Sequence, residues 1–239
     1  MSFLVIAVCL ALQWFLNLSS ASYQRAWAIP YSTYMQKRFS ALLPGHRLFT
    51  LLLLVLPILI AISIVFTLLY HLFGQTGYRI ASLLFLWYCV DVLCMKPSAD
   101  DVSMDVLFLQ SYQKVFALLA WYFVFGPVGL SLYVSVAAFR AAELDPLFTT
   151  ALGILDWVPL RLLGLSFALA GDFGAVFKRW IQALPMGIVD HQNQAVEWGV
   201  AALTSKKANP LSDAASLVQR ALCIWLMAMF LITLGFWLG

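Results

Sequence analysis

Charge is scarce in this sequence. Asp, Glu, Lys and Arg make up 10% of its 239 residues, whereas 63% are apolar, and soluble domains carry roughly 25% charged residues. A soluble globular fold is therefore not expected. The formal charge of +3 comes from scattered residues, so it indicates loops that face anionic lipid rather than a surface that binds nucleic acid.

Motifs for common chemistry are missing as well. The sequence contains no Walker-type loop, no G-x-G-x-x-G, no G-x-S-x-G and no H-E-x-x-H, which removes the usual patterns for nucleotides, a nucleophilic serine and zinc. His46, His71 and His191 fall in or beside three different loops, so we expect no shared metal site and no cofactor. The cysteines lie in apolar segments without metal-type spacing, and we expect packing roles for Cys9, Cys89, Cys94 and Cys223.

Long apolar runs are what the sequence has instead. From Leu48 to Phe73 there is no Asp, Glu, Lys or Arg, and this run exceeds the about 20 residues that a helix needs to cross a bilayer. We predict an all-α, polytopic membrane protein with one domain (residues 1–239), five to six membrane segments and short interfacial helices. The segments lie near residues 2–16, 48–73, 78–95, 115–139, 157–170 and 221–238.

Basic residues predict the orientation of these segments. The first loop contains Arg25, Lys37, Arg38 and Arg47 without any acid, which indicates a cytoplasmic loop and an N-terminus outside. The first apolar segment lacks a basic n-region, so we interpret it as a membrane helix, although the small residues after it imitate a signal-peptide cleavage site. The segment at 157–170 is short for a crossing, and a tilted span, a re-entrant piece and an interfacial helix are its alternatives. Six spans fit the basic residues better than five.

Aromatic residues of the first loop recur at helical spacing. Tyr23, Trp27, Tyr31 and Tyr34 are separated by four, four and three residues, as in an interfacial helix anchored at headgroup level. A face that binds a partner is the alternative. A second short amphipathic helix is predicted over residues 190–203.

Two features inside the predicted spans bear on function. Asp91 is the only acid in an unambiguous span, and an intramembrane carboxylate is a functional candidate, although a neighbouring cation such as Lys96 can pair with it. Gly126, Pro127 and Gly129 predict a kink in the fourth span, which serves either close packing or an opened backbone that lines a cavity.

The segment at 157–170 has its own polar residues. Asp156 can cap the N-terminus of this helix, with Pro159 in the first turn. Arg161 then enters an apolar helix and must reach the interface or pair with an acid. The nearest acids in sequence are Asp156, Asp145 and Glu143. A structural pair and a functional site are equally open.

Three stretches of the second half carry a family resemblance: FALLAWYFVFGPVGLSLY at 116–133, DWVPLRL at 156–162 and RALCIW at 220–225. They resemble the AmpE branch of the CobD/CbiB membrane family. The resemblance implies a bacterial inner-membrane protein with a regulatory or sensory role linked to β-lactamase induction and cell-wall recycling. It is compatible with a signalling partner in the membrane or the cytoplasm.

The enzyme branch of this family offers a second interpretation. It is similar to a cobalamin-pathway enzyme that joins an aminopropanol unit to a corrinoid carboxylate using ATP. Where that branch has D-D-x-x-N-x-x-P-x-R, this chain has Leu152 and Gly153 at the acid pair and Asp156 at the Asn. Its E-N-x-x-D element is replaced by an apolar stretch behind Lys114. Because phosphate and metal chemistry needs oxygen ligands, we expect no catalysis. An amide synthase and a small transporter component remain as alternatives.

Arg161, Asp156, Asp91 and Lys114 are therefore the predicted ligand or signalling residues. We expect them to line or gate the region between the kinked fourth span and the helix of Asp156. No catalytic residue is predicted. The predicted partner is the lipid bilayer, and the oligomeric state stays open.

Overall fold

Helices build the described part of the protein. The computed structural model describes residues 2–16, 27–39, 47–95, 103–142, 146–184, 191–203 and 210–238. No strand occurs in these ranges, so the predicted all-α fold is confirmed. The helices are α1 (Ser2–Leu16), α2 (Ala28–Phe39), α3 (Arg47–Cys89), α4 (Met104–Ser111), α5 (Ala117–Ala141), α6 (Pro146–Ala170), α7 (Phe173–Ala183), α8 (His191–Ala202) and α9 (Pro210–Leu238). A 3₁₀ turn, Val92–Met95, follows α3, and a π-helical turn, Tyr112–Phe116, joins α4 to α5.

Four of the described segments are long and apolar enough to cross a membrane. They are Phe49–Cys89, Met104–Ala141, Pro146–Ala170 and Leu211–Trp237, and Phe3–Leu16 is a shorter apolar helix. Because several such helices occur in one chain, the protein is a multi-pass membrane protein.

The long helix α3 is a hairpin. Gly74 has a φ of +64° and a ψ of −162°, a conformation that is essentially restricted to glycine. The rings of Phe66 and Phe85 lie 6.0 Å apart, whereas continuous helix would separate these residues by about 28 Å. Residues 47–73 and 75–89 are therefore antiparallel arms, which matches the prediction of two separate spans here.

The chain reverses in the same way at Gly126, where φ is +64° and ψ is −145°. The hydroxyls of Tyr112 and Tyr133 both donate to Oδ1 of Asp156, at 2.6 and 2.9 Å. In a continuous helix the Cα atoms of these tyrosines would lie about 31 Å apart, too far for both side chains to reach one atom. The segment from α4 to the end of α5 is therefore a second hairpin.

This α5 hairpin corrects the predicted fourth span. The break expected at Gly126–Gly129 is present, but residues 115–139 do not form one kinked helix. Residues 104–125 and 127–141 are two arms instead. The backbone of Gly126 makes the turn, and the ring of Pro127 begins the second arm, where its fixed φ and missing N–H suit the first turn of a helix.

The two hairpins lie side by side with their turns together. A Cβ atom at Gly126 would lie 3.6 Å from the hydroxyl of Tyr78. At the other end of the bundle, the hydroxyl of Tyr31 in α2 donates to the carbonyl of Leu54 at 3.2 Å, and the ring of Trp27 lies 5.7 Å from that of Phe139. The start of α3, the end of α5 and helix α2 therefore share one end of the bundle.

Helix α6 is longer than the sequence indicated. It begins at Pro146 and runs for 25 residues, about 37 Å, so the short segment predicted at 157–170 is wrong in its start. Asp156 is consequently a mid-helix residue and not an N-cap, and Pro159 lies inside the helix. The short helix predicted over 190–203 is confirmed as α8, although the first residue of that prediction, Asp190, lies outside the described residues.

Candidate functional site

Asp156 is the centre of the best-defined polar site. It projects from the middle of α6, and only 2% of its surface is exposed. Tyr112 comes from the π-helical turn of the first arm and Tyr133 from the second arm of the α5 hairpin, and both hydroxyls donate to the same carboxylate oxygen. Three separate segments are thus joined through a single atom.

The two tyrosines provide what a buried carboxylate needs. A carboxylate removed from water must be hydrogen-bonded, and bonds to a charged acceptor are stronger than neutral ones. The positive charge of Arg140, at the end of the second arm, also acts on Asp156. We therefore interpret the Asp156 cluster, defined as Asp156, Tyr112 and Tyr133, as a satisfied polar core that holds the α5 hairpin against α6.

Sequence reasoning found Asp156 but not Tyr112. Tyr133 belongs to the stretch that carries the family resemblance, whereas Tyr112 lies before it and has no distinctive spacing. Its role depends on the reversal at Gly126, which brings the two tyrosines together. A buried carboxylate needs hydrogen-bond donors, and this requirement could have directed the search to nearby tyrosines.

Arg161 lies on a different face of α6. It lies five positions after Asp156, which rotates its side chain by about 140° around the helix axis. Within the described residues no ion pair joins the two, so the predicted pairing with Asp156 is absent, and Asp145 and Glu143 lie outside the described residues. Arg161 instead lies 5.8 Å from the ring of Trp157 and 5.8 Å from the ring of Trp198.

Close helix packing builds these aromatic surroundings. Trp180 of α7 donates its indole N–H to the carbonyl of Arg161 at 2.9 Å. Gly164, one turn further along α6, allows the close approach, since a Cβ there would lie 2.5 Å from Trp198 and 2.7 Å from Trp180. We call Trp157, Trp180 and Trp198 the tryptophan cage.

Asp91 and Lys114 form an ion pair apart from the Asp156 cluster and the tryptophan cage. Lys114 Nζ lies 3.9 Å from a carboxylate oxygen of Asp91 and 3.3 Å from the side-chain oxygen of Gln110. The backbone N–H of Asp91 donates to the carbonyl of Lys114 at 3.3 Å. Because the π-helical turn alters the local backbone pairing, it contributes to this contact. The structure thus places the four predicted residues at three separate sites, of Asp156, of Arg161 and of the Asp91–Lys114 pair, and not at one gate.

The end of α3 beside Asp91 is held by helix α1. Gln13 is buried, and its amide donates to the carbonyls of Trp87 at 3.0 Å and Val90 at 2.7 Å. Its carbonyl accepts from the N–H of Val92 at 3.3 Å. Gln13 therefore satisfies backbone groups that the broken helix end leaves open.

Pro159 and Gly129 have structural roles. Proline inside a helix cannot donate to the carbonyl four residues earlier, and the indole N–H of Trp121 donates to that carbonyl, of Leu155, at 3.3 Å. A Cβ at Gly129 would overlap the carbonyl oxygen of Trp121. Glycine at this position lets the two arms of the α5 hairpin come close together.

The described aromatic anchors include both packed and exposed side chains. Trp27 and Tyr31 pack against Phe139 at the end of the bundle, while Tyr34 is exposed and stays a predicted lipid anchor. Tyr23 lies outside the described residues. The first two therefore also fix α2 to the bundle.

Metal ligands and reactive thiols do not gather at these sites. In the described residues no group of three or more His, Cys, Asp and Glu side chains is placed to hold a metal ion. The cysteines there form no disulfide, and Cys9 and Cys89 are buried. Cys94, in the 3₁₀ turn, donates to the carbonyl of Asp91 at 2.8 Å.

Comparisons with family models, with curated proteins and with solved structures find no match. The likeness to the AmpE branch accordingly rests on residues 116–133, 156–162 and 220–225 alone.

Proposed function

We propose that this chain is an AmpE-like regulatory or sensory component of the bacterial inner membrane, linked to β-lactamase induction and cell-wall recycling and not catalytic. The observation that supports it best is the Asp156 cluster, in which a buried carboxylate joins both arms of the α5 hairpin to α6. A contact that depends on three segments at once is broken by movement of any of them. Such a cluster suits a protein that changes state.

The residues around the cluster also favour regulation over amide synthesis. Leu152 lies one turn before Asp156 and is buried, and it occupies a position where the enzyme branch has a carboxylate. Gly153 occupies the other acid position and carries no ligand atom. These positions offer no side-chain oxygens for Mg²⁺ or nucleotide phosphates.

Orientation and partners complete the proposal. The first basic loop faces the cytoplasm and the N-terminus lies outside, as the positive-inside rule predicts. The lipid bilayer surrounds the helices, and a signalling partner in the membrane or the cytoplasm receives the signal. Nucleic acid is not a partner.

Induction of β-lactamase tests this role. A strain with an inducible β-lactamase, with and without this gene, is exposed to a β-lactam and complemented with the intact chain, Asp156→Asn or Arg161→Ala. Ile64→Ala, on an exposed apolar surface of α3, is the matched control. We expect the intact chain and the control to restore the response and the two site variants to fail while still inserting. An unchanged response without the gene contradicts the proposal.

One observation favours a second candidate, a small transporter component. The turns of the two hairpins border a cleft of about 370 Å³, and interrupted helices in two corresponding segments are typical of transporter binding sites. Its polar and aromatic lining includes Ser63, Thr67, Tyr70, Gln75 and Tyr78. Solute flux into proteoliposomes that is lost on Gln75→Leu would favour this candidate over the first.

A further inference from the structure

We propose that the two terminal nitrogens of Arg161 hold a phosphate-type anion at the tryptophan cage, with Trp157 as the movable wall. The inference rests on the proposed function for the view that Arg161 receives the signal, and it adds the chemical class of the ligand. The binding itself can be measured without any reference to induction.

The first support is an unsatisfied buried cation. Arg161 is 6% exposed, and neither of its terminal nitrogens has a hydrogen-bond partner among the described residues. A guanidinium carries five N–H donors and stays charged. Leaving buried charged donors unpaired is costly, so the arrangement calls for an acceptor that carries negative charge.

The cage satisfies the guanidinium only in part. The rings of Trp157 and Trp198 lie close to the guanidinium and provide cation–π attraction. Aromatic rings satisfy the faces of a guanidinium, whereas its hydrogen-bond donors lie in its plane. Two in-plane N–H groups match two oxygens of a phosphate, which explains why arginine is preferred for bidentate recognition of this group.

The described acids near this face have other roles. Asp156 accepts from its two tyrosines, and Glu197 of α8 lies 3.9 Å from Arg179 of α7 and is itself exposed. Neither carboxylate neutralises Arg161. Because no described carboxylate neutralises Arg161, the proposed ligand is a diffusible anion.

The surroundings indicate where this anion comes from. Helix α7 carries Lys178 and Arg179 beside Trp180, and basic residues with tryptophans are typical of the headgroup region of a membrane. Trp198 is 1% exposed, whereas Trp157 is 41% exposed. Rotation of the Trp157 side chain is therefore the movement that opens the guanidinium to the membrane surface.

Native mass spectrometry of the full chain in detergent tests the site. The probes are phosphatidylglycerol and inorganic phosphate, titrated first separately and then in competition with each other. We expect Arg161→Met, which keeps an unbranched apolar stem but lacks the guanidinium, to weaken phosphatidylglycerol binding at least about tenfold, because it removes charge-assisted hydrogen bonds. Arg179→Gln removes an exposed cation nearby and serves as the control, with binding expected within about twofold of the intact chain.

The outcomes separate the two sources of phosphate. Arg161-dependent binding of lipid that inorganic phosphate does not displace assigns the site to a lipid headgroup, and displacement assigns it to a free phosphate. Equal binding of both probes by Arg161→Met and the intact chain overturns the proposal. If Arg161→Met fails to fold, Arg161→Lys takes its place, because lysine keeps the charge but lacks the planar fork; undiminished binding by this variant also overturns it.

Binding and signalling can fail separately. Lost anion binding in Arg161→Met together with normal β-lactamase induction leaves the anion site standing and removes its signalling role. Normal binding together with lost induction overturns the anion site and leaves the proposed function standing.

Discussion

Helices α3 and α6 are both apolar enough to cross a membrane, yet they meet different surroundings. In the most apolar window of α3 only 17% of the residues are buried, against 61% in that of α6. Exposed residues of α3 such as Leu56, Ile60, Ile64 and Leu68 present a continuous apolar surface. Helix α6 instead carries Asp156 and Arg161 into packed surroundings.

The difference shows how two apolar helices obtain their stability in different ways. Lipid chains are as apolar as leucine, so burying an apolar side chain against another helix gains little over leaving it in lipid. A hydrogen bond in the same environment has no water to replace it. We therefore expect the stability of this fold to depend on the polar contacts of α6 far more than on the apolar surface of α3.

The largest effect is expected at Asp156. Asp156→Ala leaves the hydroxyls of Tyr112 and Tyr133 without their common acceptor, and we expect a loss of about 3 kcal/mol in the free energy of unfolding. Thermal unfolding in detergent, followed by circular dichroism, measures it. Asp156→Asn keeps an acceptor oxygen and should lose less. Equal stability of the intact chain and both variants would contradict the expectation that α6 depends on its polar contacts.

Gly126→Ala tests the turn on which the cluster depends. At a φ of +64° and a ψ of −145° a Cβ atom introduces strain of order 1–3 kcal/mol. The same substitution at Gly74, with nearly the same backbone conformation, should cost a similar amount. Because only Gly126 brings the tyrosines together, only Gly126→Ala should also lower β-lactamase induction. A lower response with Gly74→Ala as well would contradict this.

Gly164→Ala tests the packing of α6 against the tryptophan cage. The new methyl group would lie 2.5 Å from Trp198, and overpacking of this kind costs about 1–3 kcal/mol. Gly235→Ala is the matched control, since nothing lies within 4 Å of a Cβ there and alanine favours the helix by up to about 1 kcal/mol. We expect Gly164→Ala to lower the free energy of unfolding and Gly235→Ala to raise it. A rise in both variants would show that the cage is loosely packed.

Removing one hydroxyl at a time should have smaller effects. Tyr112→Phe and Tyr133→Phe each delete one donor while the other still reaches Asp156, so about 1 kcal/mol is expected for each. Because both donate to the same oxygen, the double variant should deviate from the sum of the single ones. Strict additivity would mean that the two hydrogen bonds act independently.

The smallest effect is expected on α3. Ile64→Ala replaces an exposed apolar side chain by a smaller one that lipid or detergent covers equally well, so the change should stay below about 0.5 kcal/mol. A larger loss would show that this surface is packed against another protein chain and not against lipid.

Hydropathy predicted the class of fold well and the site only in part. The α3 hairpin was predictable because its two apolar runs are separated by the glycines at 74 and 77. The α5 hairpin was not, because Gly126 interrupts an apolar stretch that has no polar turn residues around it. A kink and a reversal have the same composition there, and only the backbone angles at Gly126 distinguish them.

The polar residues were predicted as candidates, but their grouping was not. Asp156 and Arg161 are close in sequence, so a pair between them was a reasonable prediction. The structure shows instead that α6 begins at Pro146 and that both residues lie inside it. Because both residues lie in regular helix, their offset of five positions places the two side chains on different faces. The contact between Asp91 and Lys114 depends on the broken end of α3 and on the π-helical turn, neither of which has a reliable sequence signal.

The reversal at Gly126 brings Tyr112 and Tyr133 onto Asp156. A distance between spin labels on the two arms measures this reversal. Val106→Cys and Ala141→Cys place labels on exposed positions of the two arms, with the exposed Cys223 changed to Ser. We expect a distance below about 25 Å for antiparallel arms in contact. A continuous helix would place the two positions about 52 Å apart. A measured distance near that value would show that the chain does not reverse at Gly126.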